Sequence, residues 1–372
     1  MKKIKIIFVL SNLHVGGAQR TILNIVNGLN KSQYAIKLIL LKKTENETYL
    51  QYLDHDIQYE YINKQARYSF FSLRGIIKSY KPQIVLSTLG YVNILTAFSC
   101  VFVKDKPIVI LRESAHINFK NTLQRFFYQI AHKLADFSIA LSESVKQNMI
   151  ANYKISAEKI EVIYNPLNLA LINKQKGSNV DFKYSKTVRL VSAGRLVTVK
   201  NHIMIINALH YFDNTFHHDF ELVILGDGPL KPQLQKEVKL LNLENRIHFL
   251  GNVRNPYPYM KKADIMILSS LSEGFGHVIA EAMACETLIV STDCTGGPRE
   301  IIQDKYGVLV PVNDNQKLAE RIHYYSENKI AYRKKVTAAS IRVQDFDVMT
   351  VVTAYEKRFA VLMKKLGRDN ER

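Results

Sequence analysis

Residues 264–291, DIMILSSLSEGFGHVIAEAMACETLIVS, contain the pattern that decides the fold. The runs Asp264–Leu268 and Thr287–Ser291 are short and almost continuously apolar, which is typical of strands buried on both faces. Between them, a loop with two glycines leads into an apolar helical segment that begins at about His277. A strand, a helix and a second strand in this order predict one right-handed crossover of a parallel sheet.

The same alternation of strand and helix continues along the chain. Twelve apolar runs are predicted as strands: Ile4–Leu10, Ala35–Leu41, Ile84–Leu89, Ile108–Leu111, Phe137–Leu141, Ile160–Ile163, Val188–Ser192, Glu221–Leu225, Ile247–Leu250, Asp264–Leu268, Thr287–Ser291 and Gly307–Val310. Helical patterns lie between them, for example Gln19–Leu29, Gln124–Leu134, Asn201–His210 and Leu230–Leu241. This alternation favours parallel sheets covered by helices.

A polar segment after Ile163 divides the chain, and its Asn165–Pro166 step interrupts regular structure. We predict an α/β protein with two Rossmann-like, doubly wound parallel-sheet domains, residues 1–168 and 180–348, that face a central cleft. Ligands of such sheets bind beyond the carboxyl ends of the strands, so the cleft is the expected site. A last helical stretch at about 349–372 could belong to either domain.

Composition indicates a globular protein of a reducing compartment. The 372 residues are 47% hydrophobic, and the cysteines Cys100, Cys285 and Cys294 have no disulfide or metal-ligand spacing. The apolar run at the start of the chain is short and interrupted by Lys5, so we interpret it as a buried strand rather than a signal peptide. No segment has the length of a membrane span. These features predict a cytoplasmic protein.

The net charge of +18 is concentrated in the first half, where residues 1–180 hold 24 Lys/Arg and 11 Asp/Glu. A basic domain indicates an anionic partner, such as nucleic acid, a phosphate ligand or an acidic membrane surface. No module that binds DNA or RNA is recognisable, so nucleic acid is not an expected partner.

The segment SEGFGHVIAEAMACE, residues 272–286, carries the strongest chemical pattern. Glu281 stands among apolar residues of a predicted helix, where a carboxylate needs a donor, and ribose hydroxyls are suitable donors. The free amides of the Gly276–Val278 turn stand at a helix N-terminus, which favours an anion. The alternative is a buried glutamate paired with a structural arginine.

The segment SAGRLVTVKN, residues 192–201, places Gly194, Arg195 and Lys200 at the end of a predicted strand. Two cations in this position can clamp a diphosphate and stabilise its charge as the bond to a sugar breaks. The alternative is a pair of ordinary surface cations.

Six weaker patterns occupy other parts of the chain. Gly16 and Gly17 permit close backbone approach at a helix start, or simply a tight turn. His116 in LRESAH would project into the cleft, or it is a structural histidine, which is the commoner role of a lone histidine. STDCTGGPREI, residues 291–301, is a further glycine-bearing strand end. GDGP, residues 226–229, lacks a full dinucleotide fingerprint. Two DxD patterns, residues 54–56 and 345–347, are interpreted as chance occurrences rather than metal sites.

Taken together, these segments resemble the retaining glycosyltransferases of the GT-B fold known as glycosyltransferase family 4. The resemblance extends from GGAQR, residues 16–20, past GGPREI, residues 296–301, which is about nine-tenths of the chain. It implies that the last helix packs back on the first domain. His277 departs from the apolar residue that relatives often carry there.

The resemblance also implies roles for individual residues. Arg195 and Lys200 would bind the donor diphosphate, Glu281 the ribose and Glu273 the hydroxyls of the donor sugar. The remaining donor contacts would come from Gly194, from the backbone amides of Phe275, Gly276, His277 and Val278, and from Gly16 and Gly17. His116 would lie near the anomeric carbon and, with Arg195, Lys200 and Glu273, form the catalytic group.

The family pattern further implies metal independence, because cations and helix N-termini do the work of a divalent ion. It implies retention of anomeric configuration by front-face attack, in which the departing phosphate assists deprotonation of the acceptor. The STDCTGGPRE variant resembles bacterial enzymes of lipopolysaccharide, capsule or lipid-linked oligosaccharide synthesis, with UDP-hexose or UDP-N-acetylhexosamine donors. The expected acceptor is a glycolipid or oligosaccharide, and the expected location is peripheral, on the anionic inner face of the cytoplasmic membrane.

Two alternatives stay open at this point. A sugar-nucleotide epimerase of similar fold would release nucleotide without any acceptor. A non-catalytic partner subunit that binds glycan would tolerate the loss of Glu273 and Lys200.

Overall fold

The computed structural model describes residues 3–14, 16–44, 49–116, 119, 121–365 and 367. The chain divides into two compact units. The first runs up to Pro166 and resumes at Val348, and the second is Leu167–Asp347. The last residues of the predicted C-terminal helix, 366 and 368–372, lie outside the described part.

The first unit is built on a parallel sheet with the strand order β3-β2-β1-β4-β5-β6-β7. Its strands are β1 Ile4–Leu10, β2 Tyr34–Leu40, β3 Gln58–Tyr61, β4 Ile84–Thr88, β5 Ile108–Glu113, β6 Phe137–Ala140 and β7 Ile160–Val162. The order reverses between β1 and β4, which is the doubly wound arrangement.

The second unit repeats this arrangement with the order β10-β9-β8-β11-β13-β15, again parallel. Its strands are β8 Val188–Ala193, β9 Phe220–Leu225, β10 Ile247–Gly251, β11 Ile265–Leu268, β12 Ser272–Glu273, β13 Leu288–Thr292, β14 Thr295–Gly296 and β15 Val308–Val310. β12 and β14 pair with each other outside the main sheet.

Helices cover both faces of each sheet. They are α1 Gly17–Gly28, α2 Phe70–Tyr80, α3 Gly90–Ser99, α4 Thr122–Leu134, α5 Glu143–Tyr153, α6 Leu169–Gln175, α7 His202–Phe216, α8 Lys231–Leu240, α9 Tyr257–Lys262, α10 His277–Ala284, α11 Pro298–Ile302, α12 Asn315–Glu327, α13 Lys329–Arg342 and α14 Val348–Lys365.

The two faces of the first sheet make separate cores because strand side chains alternate. Ile6 and Phe8 of β1 pack with helices α1 and α14, whereas Ile7 and Val9 pack with α2, α3 and α4. α14 lies very close to α1, since a Cβ added to Gly28 would be 2.8 Å from Val352 Cγ2. Full burial of one large apolar side chain contributes about 1.5–3 kcal/mol.

The predicted α/β fold of doubly wound parallel sheets is confirmed, and the twelve predicted strands occur within one or two residues of their expected ends. β3 was not predicted, because QYEY is a partly exposed edge strand without an apolar run. The polar segment after Ile163 also contains helix α6, which the Asn168 side chain caps by accepting from the Leu171 amide at 2.8 Å.

Candidate active site

An ion pair between Lys200 and Glu273 is the centre of the candidate site. β8 ends at Ala193, and a short turn, Thr198–Lys200, brings the Lys200 ammonium to the Glu273 carboxylate, to which it donates. The same carboxylate oxygen accepts from Ser270 Oγ at 2.7 Å. The two side chains of the pair are 21% and 10% exposed. The pair is therefore oriented by the protein and still open to solvent.

Lys200 and Glu273 come together because the loops that carry them follow neighbouring strands of the sheet. β11 pairs with β8 through Ile265–Leu190 and Met266–Val191, so the loops that follow the two strands emerge side by side. Ser269 Oγ donates to the Lys200 carbonyl at 2.9 Å, and the Leu271 amide donates to the Val199 carbonyl at 2.8 Å. Ser269 and Ser270 were missed in the sequence, although two polar residues directly after a buried strand were an available indication.

The loop that carries Glu273 rests on two glycines of the GGPREI segment. Gly296 has φ +121°, and a Cβ there would lie 1.6 Å from the Glu273 carbonyl oxygen. A Cβ on Gly297 would lie 2.3 Å from the Phe275 carbonyl oxygen. The Gly297 amide also donates to the Gly274 carbonyl at 3.0 Å. These glycines let β14 approach β12 closely enough to fix Glu273, a role the sequence did not reveal.

The GDGP segment supports the turn after β8 in the same way. A Cβ on Gly226 would lie 2.1 Å from the Gly194 carbonyl oxygen, and one on Gly228 would lie 2.5 Å from the Leu196 carbonyl oxygen. The Leu196 amide donates to the Asp227 carbonyl at 3.0 Å. The glycines of GDGP therefore have a packing role, and Arg195 is left exposed on this supported turn.

Helix α10 begins three residues after Gly274, as the sequence predicted. Gly276 precedes it with φ +87°, a left-handed conformation that glycine adopts without strain. Phe275 is 3% exposed, and its ring packs 5.4 Å from Phe346 and 5.5 Å from His277. The Ile279 amide donates back to the Gly276 carbonyl at 2.9 Å. The Phe275 side chain therefore anchors the loop that presents the start of the helix.

Glu281 lies in the second turn of α10 and is 6% exposed. It stands four residues after His277, which places both side chains on the same side of the helix. His277 and Val278 are half-buried in the first turn. The second-unit residues of the predicted site therefore lie on the neighbouring loops after β8 and β11 and in the first two turns of helix α10.

Two titratable groups beside the ion pair are neutral. Burial, together with the nearby charge of Glu273, raises the pKa of the Cys294 thiol to about 11. Burial, with the charge of Lys200 as a smaller cause, lowers the pKa of His202 to about 4. At neutral pH neither group is a thiolate or an imidazolium, so neither adds a charge beside the ion pair.

The predicted residues of the first unit lie on two other loops. Gly16 precedes α1, and Gly17 opens it. His116 follows β5, is half-buried, and lies with Nε2 2.5 Å from Ser144 Oγ. Burial lowers the pKa of His116. It remains a prediction that these three residues join the donor site.

A buried polar network fixes the strand end before His116. Glu113 is 1% exposed and accepts from Asn93 Nδ2 at 2.6 Å. The same carboxylate oxygen lies 3.3 Å from His132 Nε2, and His132 Nδ1 lies 2.8 Å from Ser138 Oγ. Because buried polar groups that are satisfied by each other rigidify their surroundings, this network gives the His116 loop a firm base.

One aspartate of each DxD pattern forms a salt bridge at the surface. Asp54 lies 3.4 Å from Lys31 Nζ, and Asp345 lies 2.7 Å from the Arg342 guanidinium. Within the described ranges, no three His, Cys, Asp or Glu side chains are grouped to hold a metal ion. Likewise, none of the helices in the part that the structure describes is long and apolar enough to cross a bilayer.

Comparison with known proteins now identifies the class. Residues 15–171 match the family described as Glycosyltransferase Family 4, and residues 173–342 match the family described as Glycosyl transferases group 1. The two matches follow one another and cover most of the chain. The chain belongs to these glycosyltransferases, as the sequence resemblance indicated.

Similar proteins agree with this assignment. A Campylobacter jejuni enzyme is 26% identical over 96% of this chain and 98% of its own length. It is named GalNAc-alpha-(1->4)-GalNAc-alpha-(1->3)-diNAcBac-PP-undecaprenol alpha-1,4-N-acetyl-D-galactosaminyltransferase. The amylovoran biosynthesis glycosyltransferase AmsD of Erwinia amylovora is 22% identical over 83% of this chain and 86% of its own length.

Solved structures show the same fold. The Anabaena protein HepE in complex with UDP has a TM-score of 0.82 at 20% identity, with 96% of this chain and all of that one covered. A glycosyltransferase from Rickettsia africae has a TM-score of 0.83 at 21% identity over the full length of both chains. The chain is therefore a GT-B glycosyltransferase that takes its sugar from a nucleotide-sugar donor.

Proposed function

We propose that the enzyme transfers a hexose or N-acetylhexosamine from a UDP-sugar to a hydroxyl of a lipid-linked or polysaccharide acceptor, with retention of configuration, in the synthesis of a bacterial surface glycan. The observation that carries the proposal is the Lys200–Glu273 pair, held by Ser270 where the loops after β8 and β11 meet.

The pair suits a diphosphate and a sugar together. An ammonium has three N–H donors, so Lys200 can keep Glu273 and still donate to phosphate oxygens. Arg195, exposed on its supported turn, adds a planar donor for the same diphosphate. Glu273 then offers its other oxygen to a sugar hydroxyl. Lys200 and Arg195 then stabilise the charge that develops on the diphosphate as the bond to the anomeric carbon breaks.

Retention by front-face attack is consistent with these contacts. The acceptor oxygen forms its bond to the anomeric carbon on the face from which the diphosphate departs, and the acceptor proton passes to the departing phosphate oxygen. A double displacement would require a free nucleophile beside the anomeric carbon. In this proposal the second oxygen of Glu273 accepts from a sugar hydroxyl and the Cys294 thiol is protonated, so neither group is assigned as that nucleophile. In this proposal His116 contacts the sugar as a neutral imidazole.

Relatives support the choice of donor and acceptor. The Campylobacter enzyme is named for N-acetylgalactosamine transfer to an undecaprenol-linked glycan, and HepE was crystallised with UDP. Buried Glu281 is proposed to bind the ribose of the donor. The proposal includes metal independence, with Lys200, Arg195 and the start of α10 in place of a divalent ion, and a peripheral location on the inner face of the cytoplasmic membrane.

The test is a donor screen with the purified enzyme and a lipid extract that contains polyprenol-linked acceptors. We expect UDP release that depends on the acceptor, a lipid product one sugar heavier, and an α-linkage from an α-linked donor by NMR. A product of inverted configuration would refute retention. Nucleotide release together with a free modified sugar, in the absence of acceptor, would instead indicate the epimerase.

A further inference from the structure

The helix layer α2–α4 of the first unit, with its connecting turns, exposes many large apolar side chains. We call the following set the apolar face: Tyr68 (62% exposed), Phe71 (83%), Tyr91 (56%), Phe102 (92%), Leu123 (60%) and Phe126 (54%). Soluble monomers rarely leave large contiguous apolar patches open, and such patches mark interaction sites. In the second unit the most exposed apolar residues, such as Ile330 and Leu240, are aliphatic.

A groove of about 360 Å³ opens within the apolar face. It is lined by Phe70, Tyr91, Ile94, Leu95, Phe98 and Phe127, with Arg67 and Gln124 also in its wall. Ligand pockets span roughly 300–1,000 Å³, so this groove is large enough for part of a small apolar ligand.

Ring contacts join the groove to the exposed side chains. The centroids of Phe70 and Phe71 are 5.1 Å apart, those of Phe98 and Phe127 are 5.9 Å apart, and those of Phe126 and Phe127 are 6.0 Å apart. Arg74 of α2 donates to the Phe102 carbonyl at 3.0 Å, which holds the turn after α3 against α2. The exposed rings therefore stand on a fixed framework.

The charge around the groove identifies the kind of partner. From Tyr61 to Lys106 the sequence has seven Lys/Arg and one acidic residue, Asp105, and residues 114–135 lack an acidic residue. Lys64, Arg67 and Lys78 are exposed. A surface on which cations outnumber acids attracts anionic headgroups, and aromatic side chains favour the membrane interface.

We propose that the apolar face docks on an anionic lipid bilayer, where Phe71 and Phe102 enter the interface and one lipid hydrocarbon chain occupies the groove. The inference rests on the proposed function, because a lipid-linked acceptor is presented at a membrane. It adds the surface, the anchoring side chains and the cations that hold the enzyme there.

The chain contains no tryptophan, so one substitution gives a unique fluorescent reporter. Phe71→Trp should shift its emission to the blue on vesicles of phosphatidylglycerol and phosphatidylcholine, and brominated acyl chains should quench it. Ile330→Trp is the matched control, since Ile330 is also 83% exposed but lies in the second unit. An unchanged Phe71→Trp spectrum, or an equal shift for both reporters, would overturn the proposal.

Removal of the anchors gives an independent measurement. The double variant Phe71→Ser/Phe102→Ser should lower sedimentation with the same vesicles roughly tenfold or more, because two exposed rings no longer leave water. Ile330→Ser/Ile341→Ser, at sites 83% and 70% exposed, should bind as the wild type does. A dimer in solution that the double variant dissociates, without vesicle binding by the wild type, would show that a second copy covers this face.

Activity separates this inference from the proposed function. With acceptor embedded in vesicles, Phe71→Ser/Phe102→Ser should transfer sugar much more slowly than the wild type, and with detergent-dispersed acceptor it should be equal. Equal rates on vesicles would overturn the docking role. If the wild type bound vesicles as described yet transferred no sugar from any donor, the proposed function would fail while the docking surface stood.

Discussion

Gly296→Ala should inactivate the enzyme without any change to a charged group. A Cβ at this position would lie 1.6 Å from the Glu273 carbonyl oxygen and 2.7 Å from its carbonyl carbon. Contacts of a Cβ essentially never fall below 3.0 Å, so the Glu273 strand must retreat by about 1.4 Å. Displacements of about 1 Å at a catalytic group can cost roughly 10²-fold in rate. We therefore expect kcat/KM to fall at least about 10²-fold.

The assay is steady-state UDP release at varied donor concentration, with circular dichroism and thermal unfolding to verify the fold. Some loss of stability is expected, because L side chains rarely adopt φ +121°, and such a conformation costs on the order of 1–3 kcal/mol. Gly177→Ala is the control, since a Cβ there meets no atom within 4 Å. If Gly296→Ala kept kcat/KM within a few-fold of Gly177→Ala, the reasoning that β14 positions Glu273 would be wrong.

Three further predictions concern charge and protons. Lys200→Ala and Glu281→Ala should each lower kcat/KM by about 10²–10³ with the fold intact by circular dichroism, whereas Lys261→Ala, which breaks a surface pair with Glu286, should stay near wild type. Acidification from pH 6.5 to 4 should lower the free energy of unfolding by on the order of 3 kcal/mol through His202, because this histidine binds its proton more tightly in the unfolded state. Denaturant titrations at the two pH values should show a smaller decrease for His202→Gln than for the wild type. Transfer should continue in excess EDTA, and strict dependence on a divalent cation would contradict the metal-free proposal.

The sequence predicted the strand ends well because apolar runs buried on both faces are hard to mistake. Those ends placed Arg195 on the loop after β8, Lys200 in the turn that follows, and Glu273 after β11, which is where the structure has them. The contact between Lys200 and Glu273 joins residues 73 positions apart. It depends on β8 and β11 being neighbours in the sheet, and spacing along the chain does not contain that information.

The packing roles of the glycines could not be predicted from the sequence either. GDGP lacked a full dinucleotide fingerprint and Gly226 was assigned no role, whereas the structure shows that Gly226 packs against the backbone of Gly194 in a different loop. Gly296 was seen only as part of a strand end, and its close approach to Glu273 depends on the short β12–β14 pairing. The apolar face was hidden for a related reason: which phenylalanines of a helix layer stay exposed is decided by packing rather than by composition.

The central claim is that the Lys200–Glu273 site binds the diphosphate of the donor. Isothermal calorimetry with UDP tests it most directly, on the wild type, Lys200→Ala and Lys261→Ala. Charge-assisted hydrogen bonds contribute about 1.5–3 kcal/mol, so Lys200→Ala should weaken UDP binding roughly 10- to 100-fold, while Lys261→Ala should bind as the wild type does. Equal UDP affinity in the wild type and Lys200→Ala would contradict the account.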